Sequence, residues 1–566
     1  MFNLVEFFSG IGSQAKALKN LDIEINTLAT SEWDIHAIVA YDLIHNNDRT
    51  AIPEDIQRMT KEEILEILQK YTFSNSGKKE LDFDAFKTYS EETLKRIFCS
   101  VRRNRNFVDI SKVKGAEMPD EIDILTYSFP CQDLSNVGAF HGYNRGIDKD
   151  SGSRSSLLWQ VGRILTEMKE SNKSLPRFLL MENVPTLLSE RHFGNFSTWI
   201  CDLRALGYVS KYYQLNASDF GLPQNRPRLL MISVFVGDDA EKTQLVLDYF
   251  RMKGEQEVIS DYRESSYYRK YTVRELLRTD YSDQKLFDEA VECTPNDTVS
   301  RRKIWDENPQ IVLPGNKLNP EISVVRTITT KQDRNPNSGN LYFQSGVKGR
   351  SHFRYLTPRE CMLFMGFTDE DYEALKYNNM DFHKGNSLFA RDKIIRMAGN
   401  SIPVKLLEGV FLQIVKINEL MKDYQQRNTK RLEDVERAEF IKVIRSELFS
   451  RKIRCRKGGI VGPDGADIVY PKYNTAIYIA DSSEYGCDFS GHIDGNINNE
   501  FWQQWVAAQQ HKLDSQIVSA QSKGWQTIII WDRELKNGMI YDTVSRIEKE
   551  LKHNLAVGRH EEQNNG

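Results

Sequence analysis

The sequence predicts an α/β fold built on a doubly wound parallel sheet, with a smaller α/β segment near its C-terminal end. Strand-like and helix-like stretches alternate through the first 236 residues, the order that builds a parallel sheet with helices on both faces. The first forty residues read strand, glycine turn, helix, strand. The apolar run EIDILTYSF at 121–129 stops at a proline. A strand there would present the next residue, Cys131, at the lip of the sheet, where open α/β sheets hold their ligands.

The elements follow in order. FNLVEFFS is strand-like, GIGSQAKALKNL turns into a helix, and IEINTLATSEW returns as a second strand. Residues 46–106 are charged and helix-rich, with a break at SNSGKK, and read as an insertion over the core unit. The strand before Cys131 comes next, then a helix around LLWQVGRILTEM, the strand FLLMENV, a helix at WICDLRALGY and strands within 208–236. From 241 to 349 the periodicity weakens while Pro, Asn, Gly and basic residues accumulate, which predicts an irregular lobe rich in loops. Helical pattern returns within 350–424 at PRECMLFMGF and PVKLLEGVFLQIVKINELM. Residues 425–439 read as a helical linker and 440–566 as a compact α/β segment of its own.

Composition narrows the function. At 566 residues the chain is too long for one ordinary domain. A hydrophobic content of 40% supports real cores, and 28% charged residues with net charge −4 describe an ordinary soluble protein. No run is long enough to span a bilayer and the N-terminus has no signal-peptide plan, so a cytoplasmic protein without membrane contact is expected. The seven cysteines include no CxxC pair, which argues against a disulfide framework or a zinc site. Mild acidity speaks weakly against a nucleic-acid partner, but basic residues cluster locally, as at Arg301 to Lys303 and at Arg326, Lys331 and Arg334.

Several strand ends carry chemistry-bearing residues. The FFSGIGS turn allows close backbone approach to a ligand at a helix N-terminus. Glu32, after the second strand, is placed to accept hydrogen bonds from ribose hydroxyls, and Trp33 to stack on a purine; together they favour an adenosine-containing cofactor. Cys131 in SFPCQDLS is either a buried small hydrophobe or a nucleophile. Glu182 in MENV ends another strand at the same sheet edge, and QNRPR supplies Arg226 and Arg228. A thiol and a carboxyl facing one pocket suggest covalent catalysis assisted by proton transfer.

The blocks FFSGIGS, SEWD, DIS at 109–111, SFPCQDLS, SRSSLL, MENV, QNRPR, RYLTPRECMLFMGF and AGNSIPV stand in an order that resembles the DNA (cytosine-5)-methyltransferases, over roughly residues 1–236 and 350–420. The resemblance implies a Rossmann-like class I methyltransferase domain at 1–240, a target-recognition domain at 241–349 and a return to the catalytic domain at 350–424. It implies S-adenosylmethionine (AdoMet) as cofactor, double-stranded DNA as partner and a restriction–modification setting, with a restriction endonuclease or other defence-system subunits as further partners. Cys131 would attack C6 of a cytosine flipped out of the duplex, Glu182 would serve N3, and Arg228 would orient the base, with Arg226, Gln132 and Ser135 in the same blocks. Phe8, Gly10, Gly12, Glu32, Trp33, Asp109, Ile110 and Asn400 would hold the cofactor. Arg301, Arg326, Thr327, Lys331 and Arg334 would contact DNA, Thr327-Ile328 resembling the Thr-aliphatic pair of target-recognition domains. Two positions depart from the family pattern: Glu6 stands where Asp is usual, and Arg154-Ser155 where Arg-Gly is usual.

The C-terminal segment is similar to the very-short-patch repair endonucleases at GADIVYPKY and KGWQTIIIWDREL. That similarity implies Mg²⁺ held by Asp467 and Asp514, with Glu439 or Glu447 as a helix acid. The family's histidine segment survives only as GCDFSGHIDG, with His492, Asp481 and Glu484 as substitutes. A methyltransferase that also nicks DNA, one with a degenerate nuclease domain, and an inactive DNA-binding assembly factor are the alternatives.

Overall fold

The computed structural model describes residues 1–46, 51–130, 154–334, 336–383, 385–454, 463, 466–480, 513–531, 534–535 and 540–564. Cys131, Gln132 and Ser135 lie outside the described residues, as do Asp481, Glu484 and His492. The chain forms two compact units, Met1–Met421 and Lys422–Gly566.

The first unit is organised by a six-stranded sheet. Its strands are β1 (Phe2–Phe7), β2 (Ile25–Ser31), β3 (Ile124–Tyr127), β4 (Phe178–Asn183), β5 (Tyr208–Asn216) and β7 (Pro227–Phe235), with the short β6 (Gln224–Asn225) outside it. The order is β2-β1-β3-β4-β7-β5. The strands β2, β1, β3 and β4 are mutually parallel. β7 is antiparallel to both its neighbours, so the sheet is mixed where an all-parallel one was expected. The cause is the link between β5 and β7: residues 217–226 hold one 3₁₀ turn and β6, whereas a parallel return takes a crossover of a dozen or more residues.

Alternation along the strands splits the interior into two cores. Leu4, Ile124, Phe178, Leu180, Leu230 and Ile232 face one side, against the helices Ser13–Asn20 and Ile35–His45 and the start of Val404–Ser450. Val5, Leu125, Tyr127, Leu179, Met181 and Met231 face the other, against Leu158–Glu170 and Glu190–Ala205. Trp199 seals the second core: it is fully buried and donates its indole N–H to Tyr127 Oη at 3.1 Å.

Strand register also builds the functional edge. Phe7 pairs with Ser31 and Tyr127, and Tyr127 with Met181. The next residue on each strand is therefore Phe8, Glu32, Ser128 or Glu182, all at the carboxyl edge of the parallel strands.

The charged, helix-rich residues 51–106 pack one face into the first cluster, through Ile56, Ile64, Leu68, Phe73, Phe86, Leu94 and Ile97. The lobe at 241–349 is more regular than its sequence suggests. Five helices, Ala240–Met252, Glu255–Arg263, Val273–Leu276, Gln284–Glu292 and Val299–Glu307, precede the short strands β8 (Gln310–Leu313), β9 (Lys317–Leu318), β10 (Val325–Arg326) and β11 (Asn340–Tyr342). Four of these helices start at a side-chain cap, from Asp239, Thr272, Asp283 and Thr298.

The second unit has a three-stranded sheet of Ile468–Tyr470, Thr475–Ala480 and Gln526–Trp531. Ile477, Ile479, Ile528 and Ile530 pack there with Val544, Ile547 and Leu551 of the helix Ile540–Asn564. The expected linker at 425–439 is interior to one helix, Val404–Ser450.

Candidate active site

The turn after β1 places its backbone against a cavity. Gly10 has φ +54°, and a Cβ built there would meet nothing within 4 Å. Gly12 faces the other way: at φ +79° its Cβ would lie 2.1 Å from His45 Nε2, so only glycine fits. Beneath the turn, Glu6 is fully buried and accepts hydrogen bonds from Tyr41 Oη and, at 3.3 Å, from the Ala15 N–H. Burial pushes its carboxyl up to about 7. Glu6, where the family usually has Asp, thus ties β1 to the first turn of the helix Ser13–Asn20.

Glu32 is held facing the cavity by two backbone donors, Gly10 N–H at 3.1 Å and Asp34 N–H at 2.8 Å. Burial, then the nearby Asp34 carboxylate, push it up to about 7. Asp109 caps the turn Ile110–Lys112 by accepting from Ser111 N–H at 3.0 Å. The hydroxyl of Ser9 is buried in the same wall and makes no hydrogen bond among the described residues. An open backbone face at Gly10, a carboxyl with lone pairs to spare, an indole and an orphaned hydroxyl are a donor set that fits an adenosine-bearing cofactor.

At the end of β4, Glu182 Oε1 lies 2.9 Å from Arg228 Nε, with side chains 13% and 12% exposed. β7 runs antiparallel to β4 with Leu230 opposite Glu182, which brings Arg228 to the same edge. Burial raises the Glu182 pKa above its ordinary value, against the pull of Arg228 and then Arg226. Arg226 is buried, and its guanidinium donates to Ile328 O, Gly399 O and Ser401 O, each at 2.8 Å. It therefore joins three chain segments, a positioning part where direct chemistry was expected, while its charge still acts on Glu182.

These groups share one cavity of about 490 Å³. Phe8, Gly10, Glu32, Trp33, Asp109, Ile110, Glu182, Arg226, Arg228 and Asn400 all line it; Gly12 supports it from behind. Sequence reasoning passed over Asp34, Gly77, Lys78 and Arg396, which also line it. Asp34 stands within the SEWD block and was legible as a strand-end acid; the other three had no local signal.

The lobe residues are placed differently. Thr327 Oγ1 donates to Asn225 O at 2.7 Å, so it locks β10 beside β6. Arg301 Nη2 lies 3.5 Å from Asp333 Oδ2 and its Nη1 is buried with no partner among the described residues. Arg326, Lys331 and Arg334 are exposed.

In the second unit the Mg²⁺ reading does not fit the described residues. Asp467 is engaged through both oxygens with Arg437, at 2.8 and 3.0 Å, and accepts from Ile479 N–H at 2.7 Å. Asp514 is exposed and helical. No group of three or more His, Cys, Asp or Glu positioned for a metal occurs among the described residues. Among them, too, no helix is long and apolar enough to cross a membrane.

The chain matches the family of C-5 cytosine-specific DNA methylases over residues 67–416, a span that stops short of the second unit. It is 28% identical over 424 residues to the type II methyltransferase M2.ScrFI of Lactococcus lactis subsp. cremoris, covering 74% of this chain and 99% of that protein. It is 30% identical over 413 residues to the orphan methyltransferase M.SssI of Spiroplasma monobiae, covering 72% of this chain and 96% of that protein. The solved structure of the S. pombe Dnmt2 methyltransferase covers 74% of this chain at 16% identity, with a TM-score of 0.42. With most of the chain and nearly the whole of both relatives aligned, this protein belongs to the C-5 cytosine-specific DNA methylase family and is a DNA (cytosine-5)-methyltransferase.

Proposed function

We propose that the protein methylates C5 of a cytosine flipped out of double-stranded DNA, through a transient covalent bond from Cys131, with AdoMet as the methyl source and within a restriction–modification system. The observation that carries the reading is the buried Glu182–Arg228 pair opening on the same cavity as Glu32 and Trp33.

Cytosine C5 is a poor nucleophile. Bond formation between the Cys131 thiolate and C6 breaks the ring conjugation and makes C5 an enamine carbon. The electron pair displaced toward N3 needs a proton or a strong hydrogen bond, and a carboxyl whose pKa is raised by burial holds a proton more readily than an ordinary glutamate. Arg228 fixes the Glu182 rotamer and adds a fixed positive charge where negative charge develops. AdoMet, when bound, supplies a methyl group on a sulfonium that departs as a neutral thioether. Loss of the C5 proton to a base then drives out Cys131 and restores the ring. Glu32, Trp33, Asp109, Ile110 and Asn400 would hold the cofactor, and Gln132 and Ser135 would flank the nucleophile. A base stacked in a duplex cannot present C6 to a thiol, so flipping is required.

Contacts to DNA are assigned to Arg301, Arg326, Lys331 and Arg334, with Thr327 bracing the lobe. The test is a trapping experiment with duplex DNA carrying 5-fluorocytosine. Fluorine cannot leave as a cation, so a covalent adduct that depends on AdoMet and Cys131 should accumulate and survive denaturation. No adduct on DNA whose sites have been mapped by single-base methylation sequencing would overturn the reading.

A further inference from the structure

The loop Ser74–Lys79, the SNSGKK break of the sequence, has no part in the chemistry above, yet it forms one wall of the cavity. Ser74 is fully buried. Its N–H donates to Trp33 O at 2.8 Å and its carbonyl accepts from Ile35 N–H at 2.9 Å. The Ser74 hydroxyl donates to Lys79 O at 2.6 Å and accepts from Ser76 N–H at 3.3 Å, which folds the intervening residues into a tight turn. Within that turn Gly77 has φ +64°, and a Cβ there would lie 3.1 Å from Asp34 Oδ2. The helix Arg391–Asn400 holds the loop from its other side: Lys393 Nζ donates to Asn75 O at 2.9 Å, and Arg396 Nη2 pairs with Asp34 Oδ2 at 2.5 Å. Gly77 and Lys78 line the cavity together with Trp33 and Arg396.

We infer that residues 74–79 are a cofactor-binding strap. The main chain at Gly77 and the aliphatic stem of Lys78 enclose the nucleoside beside Trp33, and the Asp34–Arg396 ion pair is the strap's fastening. Bonded at Ser74 and gripped at Asn75, the loop is ordered before the ligand arrives, so closing over it loses little conformational entropy. Lys78 is exposed at the rim, where a lysine covers apolar surface with its stem and leaves its ammonium in water. The inference rests on the adenosine-cofactor reading and adds to it residues that lie far from the motifs of that reading.

The experiment is calorimetric titration of the full-length protein with AdoMet and with S-adenosylhomocysteine, alongside hydrogen exchange of the segment 73–81. Lys78→Ala should weaken both ligands about fivefold, the scale of losing a lysine stem from an apolar contact. Lys78→Met keeps the stem and should bind like the wild type. Gly77→Val should weaken binding by about tenfold or more, because a branched side chain is strained at positive φ. Ligand should slow exchange in the strap. Should Gly77→Val fail to fold, the Lys78 pair decides. Wild-type affinity in Lys78→Ala with unchanged strap exchange overturns the strap while leaving the cofactor reading intact. A wild-type protein that binds neither ligand overturns the cofactor reading and the strap with it.

Discussion

Glu182→Gln separates the proton-donor role proposed for Glu182 from its structural one. The amide keeps the shape of the carboxyl and still offers an oxygen to Arg228 Nε, now 2.9 Å from Glu182 Oε1. What it loses is the negative charge and the transferable proton. At that separation, with an effective dielectric constant near 20, the attraction between the two charges is roughly 6 kcal/mol. Most of this is offset by the cost of desolvating both groups, whose side chains are only 13% and 12% exposed. With the hydrogen bond retained, the expected loss of stability is about 1–3 kcal/mol, which a protein of ordinary stability survives folded. The chemical step is hit harder. Removing a positioned general acid lowers the rate by about 10²- to 10⁴-fold, or roughly 3–5 kcal/mol of barrier. The assay is single-turnover transfer of labelled methyl groups to cognate DNA at saturating AdoMet, with urea unfolding of the same preparation. A folded Glu182→Gln protein whose rate is within about threefold of the wild type would refute the assignment.

Arg228→Met removes the strongest of the charges that hold the Glu182 pKa down. Since the acid form is the one required, activity falls as pH rises through that pKa, and the alkaline limb of the single-turnover profile should move to higher pH in this variant. Arg226→Met leaves three buried carbonyls without their donor; unfolding should show a loss of about 3–5 kcal/mol, and a loss below about 1 kcal/mol would show that the three segments hold together without it. Glu6 has a pKa of about 7 in the fold against 4.5 ordinarily. Between those values the native state holds more protons than the unfolded chain, so stability drops as pH rises through the window. Glu6→Gln should reduce that slope by up to about 1.4 kcal/mol per pH unit, read from urea unfolding across the window, while Glu32 keeps part of it. Gly12→Ala forces a methyl group against His45; thermal unfolding should register about 2 kcal/mol or more, together with weaker AdoMet binding.

Local pattern carried the reading of the strands and their ends. Apolar runs that stop at FFSGIGS, SEWD and MENV are visible as strings, and in a parallel sheet all such runs end at one edge. The rows Phe7–Ser31–Tyr127–Met181 make that geometric: one residue further along each strand is a cavity residue. The helices of the 241–349 lobe were less legible because four of the five have nine residues or fewer, too few turns for a periodic stripe to stand out. Val299–Glu307 buries no residue at all. Their caps, at Asp239, Thr272, Asp283 and Thr298, were the signal that periodicity did not supply. The orientation of β7 depended on the length of a link, and the core burial of 51–106 depended on what those helices packed against.

By itself the sequence determined the kind of chemistry: which residue types stand at the strand ends, and in what order, is enough for family membership, and the proposed nucleophile, acid and cofactor reader come from the same blocks. Only the tertiary structure decided which groups act on one another. Arg226 reaches carbonyls 102, 173 and 175 residues away, Arg396 reaches Asp34 across 362 residues, and Asp467 pairs with Arg437. The reason is physical. A strand or a turn is set by interactions within a few residues, so a string records it. An ion pair across hundreds of residues exists because packing brings two surfaces together, and neither partner's neighbours in the chain carry any mark of the other.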